Sequence, residues 1–159
     1  MQTNPALGPQ QGLLPLAIAY LPVVAVGVAL SFAYRVGAHP GGAPAKDLLF
    51  RGTALAPPLF LPAALLGAAG LARTDGWPAT AGIGVVGLVG LAFLAGTTLN
   101  LPNDLDAART AGSPVGVTIG IAVVHWLVGL GLARASVLAT SRRPVPDKAA
   151  VVKALVVSP

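Results

Sequence analysis

Four long stretches of this chain carry no Asp, Glu, Lys or Arg: 1–34, 52–72, 76–103 and 110–133. Leu, Ala, Val and Gly fill them, while the charged residues collect in the gaps, at Arg35 to Arg51, Arg73 to Asp75, Asp104 to Arg109 and from Arg134 onward. The hydrocarbon core of a bilayer, roughly 30 Å thick, takes about 20 apolar residues of helix, and each block is long enough to cross it. Backbone groups in hydrocarbon must be paired inside the segment, which favours helices over the alternating strands of a barrel for this composition. The pattern predicts spans at about 12–34, 53–72, 79–101 and 115–139. It therefore predicts an all-α, integral membrane four-helix bundle, with a polar segment at 1–11 before it and a basic tail at 140–159 after it.

Prolines and glycines modify that picture. Pro15, Pro22, Pro57, Pro58 and Pro62 fall in or near the predicted spans. Each interior proline removes one helix hydrogen bond, so Ala56-Pro57-Pro58 predicts a bend or a late helix start in the second span. Pro102 is expected to end the third helix. Gly84, Gly87 and Gly90, then Gly96, then Gly116 and Gly120 place small residues at helical spacings in the last two spans. Such faces allow close backbone approach, within one bundle, in a homo-oligomer or against another subunit of a membrane complex.

Composition agrees with the pattern: 55% of the residues are hydrophobic and 9% charged, against roughly a quarter charged in soluble domains. The net charge of +5 does not indicate nucleic acid, because the basic residues flank spans or lie in the tail, where they suit a lipid surface. With no cysteine, thiolate catalysis, disulfide exchange and cysteine-ligated clusters are excluded. No Lys or Arg precedes the first apolar run, so it reads as a span and not as a cleaved signal peptide.

Orientation is nearly balanced. Arg73, Arg142, Arg143, Lys148 and Lys153 would share one side, and Arg35, Lys46, Arg51 and Arg109 the other. Arg134 and the clustered tail tip the reading towards both termini on the cytoplasmic side of the cell membrane.

Polar groups in or beside hydrocarbon are expensive and are candidates for function. His125 lies in the middle of the fourth span beside Trp126, with Arg134 further along. Asn100, Asn103, Asp104 and Arg109 crowd the exit of the third, and His39 and Arg51 bracket the first loop. An imidazole with an ordinary pKa near 6.5 suits a general base. One His with no second His or Glu nearby offers too few ligands for a metal. Packing readings stand beside these: a buried neutral His bonded to another helix, an Arg134 reaching to the headgroups, and a plain helix exit at Asn100 to Asp104. The first span, with Tyr20 and Ser31 as its interior polar side chains, is expected mainly to pack.

Three places resemble one family, the anthrone-oxygenase-like group of small four-helix membrane proteins. Gly52-Thr53-Ala54-Leu55-Ala56-Pro57-Pro58 is similar to its Gly and Ala-Pro-Pro element. Pro102-Asn103-Asp104-Leu105 resembles its Pro-Asn exit, with the spacing compressed, and Trp126 with Arg134 resembles the Trp and Arg of its last helix. The resemblance implies oxidation of an anthrone or similar lipophilic aromatic by molecular oxygen without a recognisable cofactor. On that reading His125 is the base, Arg134 or Arg109 the oxyanion partner and Asn103 and Asn100 the orienting amides. Asp104, Arg109, Trp126 and Arg51 then contact the substrate.

Two further readings stay open. One is a non-catalytic accessory subunit or assembly factor of a larger membrane complex, resting on the small-residue faces. The other, a small four-span transporter, lacks the acidic residue within a span that proton coupling needs.

Overall fold

The computed structural model describes residues 12–141, and across them the chain is all-helical. Its elements are α1 (Leu13–Tyr34), α2 (Pro44–Asp47), α3 (Phe60–Leu71), α4 (Gly76–Thr110) and α5 (Val115–Ser141). Three of them, α1, α4 and α5, are long and apolar enough to cross a membrane. The fourth substantial helix, α3, has 12 residues and extends only about 18 Å. Among the described residues there is no strand, only an isolated antiparallel bridge between Thr53 and Ala56. The segment 1–11 and the tail beyond Ser141 lie outside the described residues.

Two expected boundaries are corrected. The span expected from 53 to 72 divides into a tight turn at 53–56, two prolines, and a helix that begins only at Phe60. Residues preceding proline are pushed out of the helical region, so Ala56 and Pro57 cannot start the helix. The third helix does not stop at 101. It runs through Pro102 to Thr110, about 52 Å in all, because proline removes a single bond while the following turns supply their own. Thr110 Oγ1 donates to the Asp106 carbonyl at 2.8 Å, and Arg109 pairs with Asp106 one turn away at 3.1 Å.

The bundle is organised by seams of small and apolar residues. On α1 the buried positions are Leu13, Ala17, Tyr20, Val24, Gly27 and Ser31, which alternate steps of four and three and keep one stripe turned inward. Leu65, Ala68 and Ala69 of α3 and Ile83, Val86 and Phe93 of α4 meet that stripe in the main core. α4 and α5 approach closely at Gly90 and Gly129: a Cβ on Gly90 would lie 2.8 Å from the Gly129 carbonyl oxygen. Outward faces stay apolar, with Leu88, Leu99, Leu127 and Val137 all well exposed.

Between α1 and α3 the chain folds into a cap over one end of the bundle. Asp47, 5% exposed, organises it. One carboxylate oxygen accepts from the Ala38 amide at 2.9 Å, and the Asp47 carbonyl accepts from the amides of Arg51 and Gly52, both at 2.9 Å. The turn at 53–56 is pressed against Gly27 of α1, seven residues inside that helix, which is about 10 Å from its end. Its backbone is satisfied locally: the Thr53 amide donates to the Ala56 carbonyl at 2.8 Å, and Thr53 Oγ1 accepts from the Ala56 amide at 2.9 Å. Ser31 Oγ lies 2.6 Å from Thr53 Oγ1 and also donates to the Gly27 carbonyl, tying the turn to α1.

Candidate functional site

The turn at 53–56 and the two prolines after it form one wall of an open cleft of about 340 Å³, and the inner faces of α4 and α5 form most of the rest, with Leu61 of α3. α4 contributes Phe93, Gly96, Thr97, Asn100, Asn103 and Asp104, a stripe at steps of three and four that places all six on one face. From α5 come Ile121, Ala122 and His125, and from the cap Ala38 and Arg51. Of the residues singled out in the sequence, His125, Asn100, Asn103, Asp104 and Arg51 therefore line one cavity.

The other four lie elsewhere, His39 in the cap with its Nδ1 4.0 Å from Asp47. Trp126 is turned to the outer side of α5, where it borders a separate groove. Arg109 is on the surface, paired with Asp106. Arg134 is exposed and lies nine residues beyond His125, half a helical rotation away and about 13 Å further along α5.

His125 is 8% exposed and makes no hydrogen bond to the protein, and its Nε2 is fully buried without a partner. It sits in an aromatic cluster. The Tyr20 ring of α1 stands edge-on to it at 5.8 Å between centroids, Phe93 of α4 lies at 6.1 Å, and Tyr20 and Phe93 are 5.2 Å apart. Tyr20 Oη and, two turns from His125 on α5, Thr118 Oγ1 are likewise buried and unpartnered. Leaving a buried polar atom unpaired costs roughly 1–3 kcal/mol, and of these three residues only His125 lines the cleft.

At the cap end the groups are polar and differently tied. Asn103 Nδ2 donates to the Ala38 carbonyl at 2.8 Å, which fixes its amide across the mouth of the cleft. Arg51 approaches Asp47 at 4.0 Å and keeps most of its guanidinium exposed. Asp104, half-buried near the end of α4, also lines this part of the cleft. Among the described residues no three His, Cys, Asp or Glu side chains gather into a metal site.

Tyr20 of α1 does not line the cleft; it packs in the core, edge-on against the His125 ring. Sequence reasoning did not assign Phe93, Gly96 and Thr97 to the site, although they lie seven, four and three residues before Asn100 and so share its face.

Gly96 allows the cleft to be filled without disturbing the packing, since a Cβ there meets nothing within 4 Å. Gly96→Leu should gain helix propensity, up to about 1 kcal/mol, while its side chain occupies the cavity. The expected result is an unchanged or raised Tm with the cavity filled, read by thermal unfolding in lipid vesicles.

No family model, no curated protein and no solved structure matches this chain.

Proposed function

We propose that this chain is an integral membrane oxygenase that takes a lipophilic, acidic aromatic of the anthrone type into the cleft and oxidises it with molecular oxygen, His125 acting as the base. The observation that carries this reading is the buried, unpartnered imidazole of His125 on the wall of a cavity that also holds Asn100, Asn103 and Arg51. The resemblance at Gly52 to Pro58 and at Pro102 to Leu105 supports it, because both segments line or border that cavity.

A bilayer environment accounts for the outer surface. Helices apolar on every face need a solvent as apolar as themselves, and α1, α4 and α5 present Ile18, Val26, Leu88, Leu91, Val123 and Leu127 outward. In this reading α3 with the turn before it makes the fourth, discontinuous crossing. Irregular backbone at membrane depth is tolerated where it is enclosed by protein and satisfied, as Thr53 and Ser31 satisfy the turn. Four crossings put the two termini on one side, which the basic tail assigns to the cytoplasm.

The chemistry needs little from the protein. An anthrone methylene is acidic because its anion is delocalised onto the ketone oxygen. The His125 imidazole takes one methylene proton, and the Asn100 and Asn103 amides with the Arg51 guanidinium stabilise the developing oxyanion. The anion passes one electron to oxygen, and the resulting radical and superoxide join as a peroxide that recovers the proton from the imidazolium. The imidazole then removes the remaining hydrogen, the carbonyl forms and the O–O bond breaks. The departing hydroxide collects that proton, leaving one anthraquinone and one water per anthrone and oxygen. At about 340 Å³ the cleft lies at the small end of ligand pockets, roughly 300–1,000 Å³, as suits a compact fused-ring molecule.

The test is isotopic. Purified protein in phosphatidylcholine vesicles, given anthrone under ¹⁸O₂, should yield anthraquinone carrying a single labelled oxygen. Unlabelled anthraquinone, or none above protein-free vesicles, removes the proposal.

A further inference from the structure

A second cavity lies beside the cleft. On the outer side of the α4–α5 pair, this cavity of about 240 Å³ is lined by Thr98, Leu101, Ile119, Val123 and Trp126, almost wholly apolar. Thr97 of α4 and Ala122 of α5 line both this groove and the cleft, so the wall between the two spaces includes one threonine and one alanine. Side chains this small leave little to separate the two spaces. Gly96, the residue before Thr97, adds no bulk on the cleft side. The groove faces outward with Leu99, Val123 and Leu127 exposed around it, the surface assigned above to lipid.

The other mouth is unlike it. At the cap the cleft is bordered by Arg51, Asn103 and Asp104, with the Asn103 amide held across to Ala38. A flat hydrocarbon ring system passing that way would have to desolvate charged and amide groups, each at a cost of several kcal/mol when left unpaired. Passing between α4 and α5 it meets only apolar carbon and two hydroxyls.

We infer that the Thr97–Ala122 gap is a lateral portal through which a lipophilic aromatic moves directly from the bilayer into the cleft, with Trp126 as its outer doorpost. The inference rests on the proposal that the cleft holds such a molecule, and adds where it comes from and by which door. Trp126, placed with the substrate in the sequence, touches it in transit and not in the cleft. Aromatic residues with one polar edge are suited to guiding ring systems at such an opening.

The absence of cysteine makes the test direct. Val123→Cys lies in the groove and outside the cleft, and a bulky aromatic disulfide attached there would fill the groove, to be removed again by a reductant. The probe is 1-aminoanthracene added to proteoliposomes of phosphatidylcholine, with its binding followed by energy transfer from tryptophan. Blocked Val123→Cys should approach the same final occupancy at least tenfold more slowly, and reduction should restore the rate. A rate unaffected by the block overturns the portal while leaving the cleft's ligand in place. If unmodified protein takes up no probe saturably, both the portal and the reading of the cleft fall.

Discussion

Replacing His125 by phenylalanine should eliminate anthrone turnover while leaving the fold as stable as before or more so. The two effects separate because the proposed reading makes His125 the base, whereas the fold takes from it only ring contacts and one unpaired buried nitrogen. Its Nε2 is buried with no partner, so an apolar ring of similar shape relieves a desolvation penalty of roughly 1–3 kcal/mol. That ring keeps the edge-on contact with Tyr20 and the contact with Phe93. Loss of a positioned general base lowers rates by roughly 10²–10⁴-fold, and no second imidazole is within the cleft to substitute. His125→Ala should lose the same activity but also stability, because the truncated side chain leaves a hole between Tyr20 and Phe93. The measurements are the rate of oxygen uptake and the Tm of each variant in the same vesicles. Turnover persisting in both would remove His125 from the chemistry.

The second large effect is expected at Gly27. A Cβ there would run into the backbone carbonyl of Leu55, which has no rotamer by which to move away. Leu55 is fully buried, and its turn is held by Thr53, Ala56 and Ser31, so relieving the clash means shifting the turn as a unit. Overpacking a tight interior costs about 1–3 kcal/mol, and the same displacement moves Thr53, Ala54 and Ala56 out of the cleft wall. Against this stands a gain of about 1 kcal/mol from replacing glycine in a helix. The clash wins, so Gly27→Ala should lower the Tm and abolish ligand binding together. Gly120→Ala is the control: a Cβ there meets nothing within 4 Å, leaving only the propensity gain, and its Tm should rise. Equal Tm changes in the two variants would mean that the turn does not bear on α1.

These two positions also show what could be read before the structure. The long helices were legible because hydrocarbon-length blocks free of charge are a strong and local signal, and α1 and α5 begin and end within two residues of the expected bounds. The proline pair marked the second block as irregular for a reason that lies in the backbone itself. That the turn before it folds inward against Gly27 depends on a contact between residues 28 positions apart, for which the sequence has no local sign. Pro102 misled in the other direction. Proline at a helix end and proline inside a long helix read alike, and the difference was made by Asp106, Arg109 and Thr110 bonding within the turns that follow.

The same division runs through the site. Asn100, Asn103 and Asp104 share a face by helical spacing alone, and their convergence on the cleft was implicit in their numbering. Helical spacing likewise separates Trp126 from His125 by a large rotation and puts Arg134 on roughly the opposite side, so those placements needed no structure to be doubted. Only packing brings Tyr20 of α1 to His125 of α5, more than 100 residues away in sequence.

The most direct measurement of the central claim is oxygen consumption by the purified protein in phosphatidylcholine vesicles containing anthrone, with protein-free vesicles as the baseline. The expected result is uptake proportional to protein and saturating with anthrone, one oxygen per anthraquinone formed, falling to the baseline in His125→Phe and Gly96→Leu. Uptake at the baseline rate with folded wild-type protein would contradict the account.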